Sequence, residues 1–321
     1  MPADRPPRSR VAVLDDYQQV AARFADWAGL DADVTFFDRP IAQSDLPAAL
    51  GEFDVIVAMR ERTPFPATVL RQLPRLRLLV TTGARNASID LKATAALGIT
   101  VCATGYLPSP AAEHTWALIL AAARRLPTEF AAVAAGGWQQ TVGMGLAGHT
   151  LGLAGLGRLG SAVARVGLAF GMNVIAWSQH LTVERAAEVG VAAVSKEQLL
   201  TDSDVLSIHL VLSARSRGLF GAGELALMKP SAILVNTSRG PIVDEPALLD
   251  VLRRNAIRGA ALDVFDIEPL PVDHPFRTLP SVVMTPHLGY VVDDQYRIFY
   301  ADAVEDIARF AAGSPVRVLA L

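Results

Sequence analysis

Three apolar runs in the second half of the chain are each followed by a side chain that can bind or exchange charge. Arg239, Glu268 and His287 follow these runs in that order. An arginine binds a carboxylate through two parallel hydrogen bonds and polarises a neighbouring carbonyl. A histidine exchanges a proton near neutral pH, and a carboxylate beside it fixes its tautomer. Together these side-chain types predict reversible hydride transfer to the carbonyl of a 2-keto acid.

Each of the three has an ordinary structural explanation when it is considered alone. Arg239 can be a solvated charge or a helix cap, Glu268 a loop carboxylate, and His287 a strand-end histidine. Asp266 is a second acid two residues before Glu268 and competes for the same role. The catalytic interpretation therefore depends on the joint occurrence of the three residues with a glycine-rich turn upstream.

That glycine-rich turn joins a predicted strand, residues 150–154, to a predicted helix at 161–170. In the sequence GLGRLG, Gly155 permits a tight turn, Gly157 lets the backbone approach a pyrophosphate, and Gly160 lets helix and strand pack closely. The phosphates then face the free N–H groups at a helix N-terminus. A glycine turn in this context predicts a dinucleotide site.

The choice between NAD and NADP stays open at this point. Arg158 and Leu159 lie at the predicted helix start and belong to the expected phosphate site. The acid that usually ends the second strand is replaced by Ser178, which neither repels a 2′-phosphate nor holds the ribose. His180 and Arg185 are nearby cations, each with a solvated surface position as its simpler explanation.

Alternating strands and helices must position these groups, and they predict parallel sheets covered on both faces. A long apolar helix at 111–125 separates the two series, a helix is predicted at 293–310, and 316–319 is expected to be a closing strand. The first series has strands at 11–14, 34–37, 55–58 and 76–81, a further one reaching Cys102, and helices at 18–27, 46–50 and 66–72. The second has strands at 151–154, 173–177, 205–209, 232–236, 260–264 and 282–285.

Composition limits the class of protein. A chain of 321 residues fits two α/β domains, and a formal charge of −3 gives no basic surface for nucleic acid. Cys102 is the single cysteine, which excludes an intrachain disulfide and predicts a buried, inert thiol. With neither a signal peptide nor an apolar run of about 20 residues, the expected location is the cytoplasm, away from membranes. The histidines show no metal-site spacing, so no metal is expected.

Four segments together resemble the D-isomer-specific 2-hydroxyacid dehydrogenase family, which includes phosphoglycerate dehydrogenases and glyoxylate and hydroxypyruvate reductases. They are GLGRLG, NTSRGPIVDE, ALDVFDIEP and TPHLG, in the family's order and spacing. The resemblance covers nearly the whole chain and implies that Arg239, Glu268 and His287 form the catalytic trio. It also implies a Rossmann cofactor domain at 102–290, inserted into a flavodoxin-like substrate domain formed by 1–101 and 291–321.

The resemblance implies roles for further residues around the cofactor. Asp263 is expected to contact the nicotinamide carboxamide, and Thr237 and Ser238 to lie beside the nicotinamide. His209 matches a strand end that lines the cofactor. His114 is interpreted as a packing or hinge residue.

The resemblance places the substrate loop at residues 82–86. Backbone N–H groups around Gly83 and Ala84 are expected to bind the substrate carboxylate. Arg85 stands where the family's commonest pattern has glycine, and Arg60 and Arg62 lie nearby in sequence. These arginines either bind a distal carboxylate or phosphate, or pair with surface acids.

The expected function is an NAD(P)-dependent oxidoreductase acting on a small 2-hydroxy or 2-keto acid. One alternative is phosphoglycerate dehydrogenase-like activity on a phosphorylated hydroxy acid, and another is a non-catalytic protein that senses NAD(H). The resemblance further implies a homodimer, with the arm at residues 136–148 as the contact. Tyr290 is expected at the pocket or at the domain hinge.

Overall fold

A computed structural model describes residues 8–319 of the chain. The chain divides into two compact units. One contains the residues up to Leu107 and those from Val292 onward, and the other is Pro108–Val291. These limits lie near the predicted boundaries, although a boundary after residue 101 would divide the strand Thr100–Ala103.

The first unit contains a five-stranded parallel sheet with the strand order β2-β1-β3-β4-β5. This is the flavodoxin-like order. The inner strands Val55–Ala58 and Leu78–Thr81 are buried apolar runs, as expected for a sheet covered on both faces, whereas the edge strand Ala32–Phe36 has no buried residue. Its strands are β1 (Ser9–Val13), β2 (Ala32–Phe36), β3 (Val55–Ala58), β4 (Leu78–Thr81) and β5 (Thr100–Ala103), and its first helices are α1 (Ala21–Phe24), α2 (Leu46–Leu50), α3 (Ala67–Leu70) and α4 (Leu91–Ala96).

The helix predicted at 18–27 is shorter than expected. The Asp16 carboxylate accepts hydrogen bonds from the N–H groups of Val20 and Ala21, so the helix begins only at Ala21. The chain then forms a separate 3₁₀ turn, Trp27–Gly29, which Asp26 caps. Local capping therefore divides what the apolar pattern predicted as one helix.

The second unit contains a seven-stranded parallel sheet with the order β12-β11-β10-β9-β6-β7-β8. The strands β6 to β11 are arranged in the doubly wound dinucleotide-binding order, which confirms the predicted Rossmann fold. Its strands are β6 (Thr150–Ala154), β7 (Asn173–Trp177), β8 (Ala192–Ala193), β9 (Val205–Ile208), β10 (Ile233–Asn236), β11 (Gly259–Leu262) and β12 (Val282–Met284).

Helices cover this second sheet. The predicted long helix is α5, which buries Trp116, Leu118 and Ile119, and it ends before Arg125, whose φ of 52° is left-handed. The helices are α5 (Ser109–Ala123), α6 (Leu126–Ala134), α7 (Arg158–Ala169), α8 (Val183–Ala187), α9 (Lys196–Asp202), α10 (Ala222–Leu225) and α11 (Glu245–Arg253). Among the residues described, no helix is long and apolar enough to cross a membrane.

The last helix, α12 (Asp293–Ala311), belongs to the first unit. Its Gln295 carboxamide oxygen accepts the Leu107 N–H at 2.7 Å, and its Asp302 carboxylate accepts the Gly105 N–H at 2.7 Å. Phe299 and Tyr300 on the same helix are fully buried. The C-terminal helix is therefore part of this unit's core.

The closing strand predicted at 316–319 is wrong. Val318 forms only an isolated antiparallel bridge with Cys102. Arg317, immediately before it, has a φ of 51°, and this left-handed conformation interrupts an extended strand. Cys102 is buried, as predicted, and burial raises the pKa of its thiol to about 12.

Candidate active site

The three glycines of the turn after β6 occupy different environments. Gly155 has a φ of 102°, and a Cβ there would lie 2.5 Å from the His209 carbonyl oxygen. A Cβ on Gly160 would lie 2.1 Å from the Gly155 carbonyl oxygen. Gly157 caps α7 and has no atom within 4 Å of its Cβ position. The turn is thus tight at two glycines and open at the third, where a phosphate can approach the helix N-terminus.

Arg158 and Leu159 form the first residues of α7, so their backbone N–H groups lie in the expected phosphate site. Ser178 follows the end of β7 and is half-buried. Arg185 is ion-paired with Glu188 on the surface, which compensates its charge. Among the residues described near Ser178, we therefore find neither a carboxylate that could hold the ribose nor an arginine whose charge is uncompensated.

The ends of β9 and β10 are joined by hydrogen bonds. The Ser238 hydroxyl donates to the Ile208 carbonyl at 2.7 Å, and Thr237 bonds through its hydroxyl to Thr115 of α5 at 2.8 Å. His209 Nε2 lies 2.9 Å from the Ser207 hydroxyl. Burial lowers the pKa of His209 to about 4, so its imidazole is neutral at pH 7. The predicted cofactor-lining residues therefore share the carboxyl edge with the glycine turn.

Arg239 lies in the turn that follows β10. The Asn236 side chain braces this turn, donating to the Arg239 carbonyl at 3.0 Å and accepting the Ser238 N–H at 3.1 Å. A Cβ on Gly240 would lie 2.1 Å from the Phe265 carbonyl carbon. Only glycine permits this close approach, which packs the arginine turn against the segment that leads to Glu268.

Glu268 and His287 are in direct contact. The Glu268 Oε2 atom lies 2.6 Å from His287 Nδ1, and Oε1 accepts the Phe265 N–H at 2.9 Å. An ionised carboxylate only accepts hydrogen bonds, so Nδ1 carries a proton and Nε2 is the atom available for proton exchange. The ring of Tyr290, itself buried, contacts the His287 ring edge-on at 5.6 Å between centroids.

Asp266, the competing acid, lies in a different environment. Its backbone N–H points towards Glu245, which pairs with His274 at 2.9 Å. Partial burial raises the pKa of Asp266, and the negative charge of Glu245 raises it further. The acid that contacts His287 is therefore Glu268.

Asp263, after β11, is the most heavily hydrogen-bonded carboxylate of this region and is 1% exposed. It accepts hydrogen bonds from the Thr285 hydroxyl at 2.6 Å and from the N–H groups of Leu288 at 2.7 Å and Gly289 at 2.9 Å. Its fourth neighbour, His114 Nε2 at 3.1 Å, was not anticipated as a partner from the sequence. Nothing in the sequence around Glu113 and His114 predicted a contact with a residue 149 positions further along the chain.

The predicted substrate loop lies in the first unit, after β4. Gly83 is buried with a φ of 83°, whereas Ala84 and Arg85 are exposed. The Arg60 guanidinium lies against this loop, donating to the Thr82 carbonyl at 3.3 Å and resting 5.5 Å from the centre of the Tyr106 ring. The Gly83 N–H donates to the Thr104 hydroxyl at 2.7 Å, so the exposed part of this loop is at Ala84 and Arg85.

Arg62 is held in the same unit by Asp15 and Tyr17. It donates to the Asp15 carbonyl at 3.2 Å, and its guanidinium lies 4.8 Å from the Tyr17 ring centre. Burial raises the pKa of the Asp15 carboxyl although Thr63 and Tyr17 donate hydrogen bonds to it. Arg62 therefore has a structural explanation.

The carboxyl edge of the second sheet combines an open helix N-terminus with an acid–imidazole pair. The first can bind a pyrophosphate, and the second can exchange a proton at His287 Nε2. Arg239 follows β10, which lies between β6 and β11 in the sheet order. These are the functions that nicotinamide-dependent reduction of a carbonyl requires.

Comparison with known proteins agrees with this chemistry. Residues 116–289 match the family described as D-isomer specific 2-hydroxyacid dehydrogenase, NAD binding domain. The glyoxylate reductase of Aeropyrum pernix is 43% identical over 255 residues, covering 76% of each chain. The D-3-phosphoglycerate dehydrogenase of Archaeoglobus fulgidus is 34% identical over 311 residues, 96% of this chain but 58% of the relative.

A solved structure shares the fold over almost the whole chain. The phosphoglycerate oxidoreductase from Vibrio cholerae O395 has a TM-score of 0.89 and 38% identity, covering 95% of this chain and 99% of that one. With the family match and the glyoxylate reductase similarity, this confirms the resemblance seen in the motifs. The chain belongs to the D-isomer specific 2-hydroxyacid dehydrogenase family and is an oxidoreductase that carries the family's NAD binding domain.

Proposed function

We propose that this protein reduces small 2-keto acids, such as glyoxylate or hydroxypyruvate, with a reduced nicotinamide dinucleotide. The observation that carries the proposal is the 2.6 Å contact between Glu268 Oε2 and His287 Nδ1, which leaves His287 Nε2 free to exchange a proton. The similarity to a glyoxylate reductase supports a small substrate.

The proposed cofactor site uses the glycine turn. Gly155 and Gly160 set its shape, and Gly157 with the N–H groups of Arg158 and Leu159 binds the pyrophosphate. Thr237, Ser238, His209 and Asp263 line the remaining path of the dinucleotide. When bound, the nicotinamide supplies the hydride.

The chain's own residues bind the substrate and move the proton. Arg239 binds the substrate carboxylate and polarises the 2-carbonyl. His287 Nε2 donates a proton to the carbonyl oxygen during reduction, and Glu268 stabilises the imidazolium that precedes this transfer. In the opposite direction the same nitrogen accepts the hydroxyl proton.

The proposed substrate domain is the unit formed by both chain ends. Because the Gly83 N–H is bonded to Thr104, the loop N–H groups proposed to bind the carboxylate are those at Ala84 and Arg85. Arg60 and Arg62 are engaged with backbone carbonyls and aromatic rings, whereas Arg85 is exposed on the loop. An unphosphorylated acid therefore fits better than a phosphorylated one.

A panel of 2-keto acids, phosphohydroxypyruvate included, tests the proposal when NADH and NADPH are supplied in parallel. His287→Asn should lower kcat by about 10²–10⁴-fold, the usual contribution of general acid–base catalysis. Arg239→Met should remove turnover because the substrate carboxylate loses its partner, and in both variants NADH binding should stay nearly unchanged. Unaltered turnover in both variants would refute the assignment. Negligible turnover by the wild type, with a partner bound in an NADH-dependent manner, would instead identify a sensor.

We also propose that the protein is a cytoplasmic homodimer. Large apolar side chains are exposed on α6 and the arm after it: Phe130 at 67%, Val133 at 58%, Trp138 at 73% and Val142 at 89%. A patch of this kind fits a second copy of the chain. Light scattering of the wild type and of Trp138→Asp is the test, and a wild-type monomer at micromolar concentration contradicts the dimer.

The proposed location in the cytoplasm is supported by the free Cys102 thiol, which suits a reducing compartment.

A further inference from the structure

The backbone at His287 is held in an unusual conformation by Asp263. His287 has a φ of 55°, which is left-handed and uncommon for a residue with a side chain. The Asp263 carbonyl accepts the His287 N–H at 2.9 Å, and its carboxylate accepts the N–H groups of Leu288 and Gly289. One acidic residue thus fixes three successive N–H groups of this turn, which sets the direction of the imidazole.

The Asp263 carboxylate depends in turn on side-chain donors. The Thr285 hydroxyl donates its single proton to Asp263 Oδ1 at 2.6 Å. His114 Nε2 lies 3.1 Å from the same carboxylate oxygen and 2.9 Å from the Thr285 hydroxyl oxygen. Because the Thr285 hydroxyl proton is donated to Asp263, both oxygens near His114 Nε2 present lone pairs to it. An unprotonated Nε2 would add a third lone pair, so Nε2 carries a proton. His114 is therefore the donor.

The charge of Asp263 reflects these bonds. Burial raises the pKa of a carboxyl, but hydrogen bonds from His114 and Thr285 outweigh burial and hold the pKa of Asp263 below its usual range. A buried carboxylate that loses a donor has no water to replace it, since Asp263 is 1% exposed.

We propose that His114 is a positioning residue: it orients the Asp263 carboxylate, which fixes the left-handed turn of His287 and aims the imidazole opposite Glu268. The inference rests on the proposed role of His287 in proton exchange. His114 acts through Asp263, whereas the resemblance to the family implied only a packing or hinge role.

A loosened turn should affect the chemical step more than cofactor binding. A misplacement of about 1 Å at a reacting group can cost 10²-fold in rate. The glycine turn that binds the pyrophosphate is formed by other residues, Gly155 to Gly160, although Asp263 itself lines the proposed path of the dinucleotide. We therefore expect kcat to fall by a larger factor than the affinity for NADH.

The experiment compares His114→Leu, which has no donor, with His114→Gln, whose amide can donate. Glu113→Gln, an exposed neighbour on the same helix, is the matched control. For each, kcat, KM and NADH affinity are measured, together with hydrogen exchange at the amides of Leu288 and Gly289. His114→Leu should lower kcat by about tenfold or more and speed exchange at both amides, and His114→Gln should restore most of both.

Several outcomes overturn the inference. Unchanged kcat and unchanged amide exchange in His114→Leu would do so. So would weakened NADH binding with kcat unchanged, because Asp263 would then act through the cofactor. If His114→Leu does not fold, His114→Gln decides: wild-type exchange and kcat support a donor role, and loss of both contradicts it. A wild type without keto-acid turnover, but with amide exchange that responds to His114→Leu, would refute the proposed function while leaving the positioning role standing.

Discussion

Replacing Glu268 by glutamine removes the charge beside His287 and leaves the size of the side chain unchanged. Both neighbours of Glu268 are donors, the Phe265 N–H at 2.9 Å and His287 Nδ1 at 2.6 Å. A glutamine offers one acceptor atom to these two donors. If the glutamine oxygen accepts the Phe265 N–H, the glutamine NH₂ group faces His287 Nδ1. That arrangement favours the neutral imidazole tautomer that carries its proton on Nε2. The protonated imidazole that reduction requires is then destabilised.

The magnitude follows from the loss of one charge-assisted hydrogen bond. Such a bond contributes about 1.5–3 kcal/mol, against about 0.5–1.5 kcal/mol for a neutral one. The His287 and Glu268 side chains are 18% and 28% exposed, so water partly screens the charge of the pair. The expected loss therefore lies in the lower part of the difference between the two kinds of hydrogen bond. A loss of about 1.4 kcal/mol corresponds to a roughly tenfold fall in kcat.

Steady-state reduction of glyoxylate at a fixed, neutral pH is the assay. Because reduction uses the protonated imidazole, kcat should fall about tenfold in Glu268→Gln. Asp266→Asn is the matched control and should retain the wild-type kcat. A wild-type kcat in Glu268→Gln, together with loss of activity in Asp266→Asn, would show that the wrong acid has been assigned.

Three further changes have distinct expected outcomes. Gly160→Ala places a Cβ 2.1 Å from the Gly155 carbonyl oxygen, so calorimetry should show a loss of about 1–3 kcal/mol in stability and titration a weaker NADH complex; an unchanged Tm contradicts the close packing. Ser178→Asp should reduce kcat/KM with NADPH about tenfold relative to NADH, through repulsion of the 2′-phosphate, and equal losses with both cofactors contradict this. Burial raises the pKa of Asp306 to about 7 despite the Arg317 pair. The folded state therefore holds this proton more tightly than the unfolded chain, and the free energy of unfolding should fall between about pH 4 and pH 7 by up to about 4 kcal/mol, with a smaller fall in Asp306→Asn by urea denaturation.

The strand pattern was predictable because buried parallel strands are short apolar runs. Strand 173–177 and helix 46–50 match the structure residue for residue. The predicted strands ending at His209, Val264 and Thr285 are one or two residues too long. Each of these strands ends directly before a polar residue of the site, His209, Asp263 or Thr285, where the backbone leaves the ladder.

The contacts inside the site were only partly predictable. The Glu268–His287 pair followed from placing the ends of neighbouring parallel strands together. The His114–Asp263 contact joins a helix to a strand end and has no local pattern in the sequence. Helix α6 was also missed, because Arg125 reverses the chain in a left-handed conformation that its residue type does not indicate.

The position of α12 has a consequence for synthesis. The first sheet is finished at Ala103, yet the helix that buries Phe299 and Tyr300 against this unit emerges only after Pro108–Val291 has been translated. At about 5–20 residues per second the ribosome takes roughly 10–40 s over that interval. A nascent chain therefore holds an incomplete amino-terminal unit with an uncovered apolar face for that time, while the inserted unit has all of its own strands and can fold first. Agents that bind exposed apolar surface should associate with ribosome-bound chains until α12 has emerged.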